Sequence, residues 1–394
     1  MIRWNRYPLF LHIALREFRA IATNYAVLLV LVGGVFAYGF LYNYMYAPNV
    51  VREVPVCVVD HSHTALSREY IRLLDATPDV AVAYQAQDMA EAKGLMLRAE
   101  VYGIVYLPRD LEGRMLRGEP SVYPFYATTD AFLYYEAMER ANLEVMEAMD
   151  DAHRTALLGD LSLGGLAAVA TQSPVTVVGT ALYNPIEGYG VYLIPSVLMI
   201  IIFQTLMMLV AMMANRKSER PLMAACGRMR VERTRLAFAL VCGKTLTYAV
   251  LYGIFAFFLV GLLPLIFDIP RGASWGALAV LLIPYILGTS FLGLALSRWY
   301  TDAEAPILLI AFFSIGLIFL SGVSYPLELI PWYWRAVHYL IPAAPAVLAY
   351  VQMSAMEATL HDVWPQLLAL WVQMGVYFVL AVWTYRSKKD FIVR

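Results

Sequence analysis

Charge is what this sequence has little of: 15% of its 394 residues are Asp, Glu, Lys or Arg, whereas 61% are hydrophobic. Soluble domains carry about 25% charged residues, so the composition argues against a single soluble domain and indicates several membrane spans. The net charge is −1, and nothing in it points to a nucleic-acid partner.

Cysteine and catalytic motifs are scarce as well. The chain has three cysteines and no Cys-x-x-Cys pair, which predicts neither a zinc site nor an intramolecular disulfide. Neither Gly-x-Ser-x-Gly nor His-Glu-x-x-His occurs, so we expect a non-catalytic chain with no cofactor of its own. Asp60, His61 and His63 form one small group of potential metal ligands. A polar loop before a helix capped by Ser67 is the favoured alternative, because no other cluster supplies further ligands.

Long apolar runs are what the sequence has instead, since a spanning helix needs about 20 mostly apolar residues. Six stretches qualify, at residues 25–46, 190–214, 236–267, 274–297, 305–323 and 367–385. Arg and Lys cluster before the first stretch, after the second and in the tail 386–394. The positive-inside rule then makes both termini cytoplasmic. These features predict a polytopic helical membrane protein with six spans.

The stretch Gly243-Lys244-Thr245 ends like a phosphate-binding loop, which raises the question of whether this chain binds ATP. Such a loop needs a glycine at position 238, but Phe238 stands there within an apolar, helix-like run. We therefore predict no ATP site. In the third span, Gly243 permits close helix packing, and the Lys244 stem is expected to snorkel to the cytoplasmic surface.

Residues 47–187 differ from the rest because they are more charged and alternate between strand-like and helix-like segments. Strands are predicted at 51–60, 79–86, 101–108 and 121–129, and helices at 67–76, 88–100, 109–118 and 130–158. Alternation of this kind indicates an α/β domain. Because it lies between the first two spans, it is predicted to be an inserted, extracytoplasmic domain.

Several motifs follow this plan in order along the chain. They are LHIALREFRAIATN, VPVCVVDHSHTALSREY, YGIVYLPRDLEGRMLRGEP, YNPIEGYGVYLIP, the charged loop ending in Gly-Lys, and SGVSYPLELIPWYWRAVHYLIP. With the topology, they make the chain resemble the permease subunits of ABC-2 type exporters that carry a large periplasmic domain. The resemblance covers nearly the whole chain. It implies an external re-entrant segment at 324–364 and a cytoplasmic interfacial helix within residues 1–24.

The resemblance also implies that separate ABC ATPase subunits bind the ATP and Mg²⁺. The interfacial helix has an apolar stripe made of Leu11, Ala14, Leu15, Phe18 and Ile21. This helix and the loop 215–235 are expected to couple to the ATPase through Arg16, Glu17, Arg19, Arg216, Lys217, Glu219 and Arg220. A second permease copy or homologue and membrane lipid are further expected partners. In a two-membrane bacterium the resemblance adds a periplasmic adaptor and an outer-membrane duct.

We therefore predict an export permease of the bacterial inner membrane. The candidate pathway residues inside the spans are Gln204, Thr205, Phe312, Phe313 and Ser314, with ordinary helix packing as the alternative for each. An apolar pathway favours an amphipathic or hydrophobic cargo, such as a drug or a lipid-like molecule. One alternative function is a membrane-anchored receptor or assembly scaffold that transports nothing. Another is a self-contained secondary transporter, which predicts internal repeats that the sequence does not convincingly show.

Overall fold

The protein is described by a computed structural model that covers residues 8–46, 50–116, 125–127, 132–159, 189–214, 232–267, 269, 272–297, 299–300 and 304–387. The chain divides into two compact units: Val50–Thr180, and Met1–Asn49 together with Ala181–Arg394. Each unit is built around buried hydrophobic clusters of its own.

Among the described residues, helices and strands alternate in the Val50–Thr180 unit (the α/β unit), whereas the other unit (the membrane unit) is helical. In chain order they are α1 Leu9–Ala22, α2 Tyr25–Met45, β1 Val54–Asp60, α3 Ala65–Ala76, β2 Val80–Gln85, α4 Met89–Leu97, β3 Gly103–Leu107, α5 Leu111–Leu116, β4 Phe125–Ala127, α6 Phe132–Gly159, α7 Tyr189–Ala214, α8 Arg233–Ile266, α9 Trp275–Leu296, α10 Glu304–Leu320, α11 Trp332–His338, α12 Ala343–Ala355 and α13 Trp364–Ser387. Each strand and helix predicted for residues 47–187 has a counterpart among these elements. The predicted boundaries are displaced by a few residues.

Five of the described helices, α2, α7, α8, α9 and α13, are long and apolar enough to cross a membrane. The chain is thus a polytopic helical membrane protein. Helix α10 has 17 residues, which is at the lower end of the about 17–25 that span a bilayer. Helices α11 and α12 are separated by a bend of 83°, as in a broken span or a re-entrant loop. The number of six spans remains a prediction.

Small residues set the closest crossings between these helices. A Cβ atom on Gly39 of α2 would lie 2.9 Å from a methyl carbon of Leu259 in α8. One on Gly293 of α9 would lie 2.8 Å from a methyl carbon of Val210 in α7. Helices in lipid associate through such packing, because lipid tails are as apolar as the side chains that they would replace.

The α/β unit contains a four-stranded sheet in the order β2-β1-β3-β4. Strand β1 is parallel to β2 and β3, and β4 is antiparallel to β3. Side chains of β1 alternate between the two faces: Val56 and Val58 join a core with α3 and α6, whereas Cys57 and Val59 pack with α4. Successive side chains of a strand point to opposite faces, so the unbroken apolar run at residues 56–59 is typical of a parallel strand that is covered on both faces.

The loop after β1 is a helix-capping turn. Both oxygens of the Asp60 carboxylate are occupied: one accepts the backbone N–H groups of Ser62 and His63, at 2.9 and 3.0 Å, and the other accepts the Ser67 hydroxyl at 2.7 Å. Thr64 is the N-cap of α3, with Ser67 completing a capping box. The prediction that Ser67 itself caps the helix is therefore wrong by three positions. No metal-ligand cluster was found among the described residues.

Candidate functional site

Helix α1 packs against the first turns of α8 at the Gly-Lys-Thr motif. A Cβ atom on Gly243 would lie 2.5 Å from the backbone oxygen of Phe10 and 2.8 Å from Cβ of Ile13. Such distances are well inside van der Waals contact, so only glycine allows this crossing. The prediction that Gly243 permits close helix packing is confirmed, and the partner is α1.

Lys244 forms a buried ion pair with Glu17 of α1. Its Nζ lies 2.9 Å from Glu17 Oε1, and the two side chains are 1% and 6% exposed. The Tyr248 hydroxyl donates to the same Glu17 oxygen at 2.6 Å, and Lys244 also donates to the backbone oxygen of Met213 in α7 at 3.3 Å. The expectation that Lys244 snorkels to the surface is therefore wrong, because α1 covers it.

Helix α1 has three faces rather than the two that the sequence suggested. Its bundle-facing side buries Ile13, Ala14, Glu17 and Ile21. Leu15 and Phe18, which were predicted to belong to one apolar stripe with Ala14 and Ile21, are half exposed on a second face. The third face carries Arg16, which is partly buried, and Arg19, which is exposed. The prediction assumed one apolar environment, whereas α1 has a protein-facing side and an outward apolar side.

A second feature is a cavity of about 1170 Å³ whose described lining carries no charge. It is lined by Phe203, Met207, Leu292, Leu296, Tyr300, Leu309, Ile310, Phe313, Ser314, Gly316, Leu317, Phe319, Leu320, Ser324, Tyr325, Ile330, Pro331, Trp334, Val337, Leu340, Ile341 and Tyr377. Burial raises the pKa of Tyr300 to about 12, which further disfavours the charged form of its hydroxyl. The cavity exceeds the about 300–1,000 Å³ of ordinary small-molecule sites and can take a large apolar group.

Helix α10 supplies one long side of this cavity. Ile310, Phe313, Ser314 and Leu317 lie three or four positions apart, which puts them on one helix face. The Ser314 hydroxyl donates to the backbone oxygen of Ala311 at 2.8 Å, so it is satisfied within its own helix. The face that α10 gives the cavity is therefore apolar in character.

The predicted pathway residues do not all meet at the cavity. Phe313 and Ser314 line it, but Phe312 is 75% exposed and is not among the lining residues. Gln204 and Thr205 do not line it either. The Thr205 hydroxyl donates to a backbone oxygen of its own helix at 2.6 Å, and its methyl group lies against Gly34 of α2. The predicted ATPase-facing residues Arg216, Lys217, Glu219 and Arg220 lie outside the described residues.

Side chains of α13 satisfy the backbone where α11 breaks into α12. Gln373 Nε2 donates to the Tyr339 oxygen at 2.7 Å, and the Tyr377 hydroxyl donates to the Leu340 oxygen. The His338 ring nitrogen Nδ1 lies 2.8 Å from the Leu320 oxygen at the end of α10. Non-helical backbone at membrane depth persists only where such partners exist. Gln373 and Tyr377 are four positions apart, which places both polar side chains on one face of α13. The sequence analysis did not identify them as site residues.

Comparison with protein families gives one match over nearly the whole chain. The profile described as ABC-2 family transporter protein matches residues 25–383. The chain belongs to the ABC-2 transporter family. It is therefore a membrane transport component of the ABC-2 permease type, and such permeases in general work with an ABC ATPase. Comparison with curated proteins gives no match.

The range of the ABC-2 match contains the helices of the cavity but only one member of the ion pair. It includes every helix that lines the cavity, and it includes Lys244. It begins at residue 25, after α1, so Glu17 and the rest of α1 are outside the matched range. The ion pair therefore joins a helix inside the ABC-2 match to one outside it.

Proposed function

We propose that this chain is the permease subunit of an ATP-driven exporter in the bacterial inner membrane, energised by a separate ABC ATPase. Its cargo is an amphipathic or hydrophobic molecule, of the drug or lipid-like kind. The observation that carries the proposal is the cavity of about 1170 Å³ with no charge in its described lining. A charged group would lose its hydration there without gaining a partner, whereas an apolar group would gain by burial.

The proposed topology has six spans, with α10 as the fifth and α11–α12 as a re-entrant segment from the outer side. The backbone N–H of Gly272, in the turn between α8 and α9, donates to Ser354 near the end of α12 at 3.2 Å. This contact supports the view that α12 returns to the side where α13 begins. Gln373, which holds the joint, is nine residues after Trp364, or about 13 Å along α13. That depth supports a joint inside the bilayer.

Two permease copies, or one copy and a homologue, would form the pathway, with the ATPase pair below them. Arg16 and Arg19 of α1, with the loop 215–235, would meet the ATPase on the cytoplasmic side. The Val50–Thr180 unit would stand in the periplasm, where its own buried cores allow it to fold by itself. There it would dock an adaptor connected to an outer-membrane duct.

Purification from the native membrane in mild detergent tests the energy source. We expect an ABC ATPase to co-purify in stoichiometric amount. Because α8 begins at Arg233, inside the predicted loop 215–235, the variant replaces residues 215–231 with a neutral linker of equal length, and we expect it to lose the ATPase. If no ATPase is recovered while a reference ABC complex from the same membrane stays intact, the exporter is refuted. The α/β unit would then favour the membrane-anchored receptor or scaffold.

A matched pair of glycine substitutions tests the cavity. A Cβ at Gly316, which lines the cavity, or at Gly375 of α13, which does not, would meet no atom within 4 Å. We expect Gly316→Phe to reduce ATP-dependent accumulation of a fluorescent amphipathic dye in inside-out vesicles at least fivefold, because the ring projects into the cavity and takes up space along its α10 side. Gly375→Phe should leave accumulation unchanged. Equal transport by both variants would remove the cavity from the pathway.

A further inference from the structure

We infer that the buried ion pair between Glu17 and Lys244 locks α1 to α8, so that a force applied to α1 moves the membrane bundle with it. The source of that force rests on the function proposed above, namely an ATPase on the cytoplasmic side. Glu17 and Lys244 are then positioning residues that act inside the permease. Glu17 does not itself contact the ATPase.

The contacts of the pair reach three helices. Glu17 belongs to α1, Lys244 and Tyr248 to α8, and the Met213 oxygen that accepts from Lys244 to α7. Charge-assisted hydrogen bonds are stronger and shorter than neutral ones, and this pair lies where solvent screening is weak. The pair therefore ties α1 to the interior of the bundle rather than to its surface.

Neighbouring contacts keep α1 in register with α8. Gly243 meets Phe10, and one turn later the Thr247 hydroxyl donates to the Ala14 oxygen at 2.9 Å. Both pairs advance by four positions, which is about one helical turn. A slide or a roll of α1 would separate Glu17 from Lys244 and leave a buried charge without its partner, which is costly. The docked register of α1 is thus sharply preferred over displaced ones.

Simple stability is the competing role for such a pair, and the two roles predict different outcomes for an apolar replacement. When both members of a buried ion pair become apolar residues of similar volume, stability is often unchanged or improved. Glu17→Met combined with Lys244→Met should therefore fold. If the pair fixes register, this folded variant should still lose the fixed position of α1. If the pair supplies only stability, it should behave like the wild type.

The test compares single variants, an apolar double and a charge-swapped double in the full complex in nanodiscs. The single variants are Glu17→Gln and Lys244→Met. The apolar double combines Glu17→Met with Lys244→Met, and the charge-swapped double combines Glu17→Lys with Lys244→Glu. Thr245→Val is the matched control, because Thr245 is a buried neighbour on α8 whose hydroxyl has no hydrogen-bond partner in the described part of the chain. Two readouts are used. Hydrogen exchange of the α1 amides is measured in these nanodiscs, and dye transport per ATP hydrolysed is measured with the same complexes in sealed proteoliposomes, because a nanodisc encloses no compartment.

We expect at least tenfold faster exchange within α1 in both singles and the apolar double, with α9 unchanged, and at least fivefold less transport per ATP. The charge-swapped double should recover part of the α1 protection and part of the transport. Recovery should be incomplete, because the Met213 oxygen favours a cation at position 244. Thr245→Val should match the wild type. Two outcomes would overturn the inference: wild-type hydrogen exchange and transport in the apolar double, or no recovery of either in the charge-swapped double relative to the singles Glu17→Gln and Lys244→Met.

Hydrogen exchange can be measured on the chain without an ATPase. The proposed exporter function and the proposed α1 lock can therefore fail separately. Failure to recover an ATPase with the wild-type chain would refute the exporter while the exchange data still decide whether the pair locks α1. Conversely, an intact complex in which α1 is equally protected in every variant would leave the exporter standing and refute the lock.

Discussion

Replacing Gly243 with alanine perturbs the α1–α8 crossing at its closest point. The added Cβ would lie 2.5 Å from the Phe10 backbone oxygen, which no side-chain rotation can relieve. To restore ordinary contact, which begins at 3.4 Å, α1 must move away by about 0.9 Å. Overpacking of this kind costs about 1–3 kcal/mol. The same movement would stretch the ion pair between Glu17 and Lys244 beyond its present 2.9 Å.

Gly253→Ala on the same helix is the matched control. A Cβ at Gly253 meets no atom within 4 Å, so this variant shows the helix-propensity effect alone. Exchanging glycine for alanine within a helix stabilises it by about 0.8–1.0 kcal/mol, and the gain is common to both variants. Their difference therefore isolates the steric term and should be about 1–3 kcal/mol, with Gly243→Ala the less stable.

Thermal unfolding in nanodiscs, with hydrogen exchange of α1 on the same samples, measures the difference. We expect Gly253→Ala to unfold at or above the wild-type temperature and Gly243→Ala below it, with faster exchange confined to α1. Equal unfolding temperatures for the two variants would show that α1 does not press on position 243. The reasoning about the crossing, and the lock built on it, would then fall.

Two further predictions concern other parts of the chain. Tyr377→Phe should destabilise the membrane unit by about 1–3 kcal/mol, because the Leu340 oxygen at the α11–α12 joint loses its donor, whereas Tyr25→Phe at an exposed position should have no effect on unfolding. Burial raises the pKa of the Cys57 thiol, so the folded state favours the neutral form. The contribution of Cys57 to the stability of the α/β unit should then be constant below about pH 8.5 and fall as pH rises above it. Alkylation of Cys57 along a urea titration at several pH values would detect this, and an unchanged midpoint up to pH 10 would contradict it.

Local sequence patterns predicted helices and strands well where burial of those same residues stabilises the helix or strand. The unbroken apolar run of Val56, Cys57, Val58 and Val59 is typical of a strand with both faces covered, and the structure has that strand. Five of the six long apolar runs likewise correspond to described helices of spanning length, and the run at 305–323 corresponds to α10, which has 17 residues. In both cases the signal lies within a few neighbouring residues, and burial of those same residues is what stabilises the element.

Interactions between distant segments left no such local signal. Glu17 and Lys244 are 227 positions apart, so neither position shows that the other neutralises it. A lysine near a span end reads as a snorkelling residue until the helix that covers it is known. The three faces of α1 were missed for the same reason, since Leu15 and Ile21 are equally apolar but face different surroundings. Pro342, the N-cap of α12, is a local signal for the break after α11.

The distance along the chain between Glu17 and Lys244 has a consequence for biogenesis. A lysine within a span costs about 2.5–3.5 kcal/mol at the helix centre during insertion if nothing neutralises it. Because Glu17 is synthesised 227 residues earlier, α1 is already made when the third span leaves the ribosome. A chain that lacks α1 should therefore insert its third span poorly. In the full chain, α1 would favour insertion of that span by neutralising Lys244.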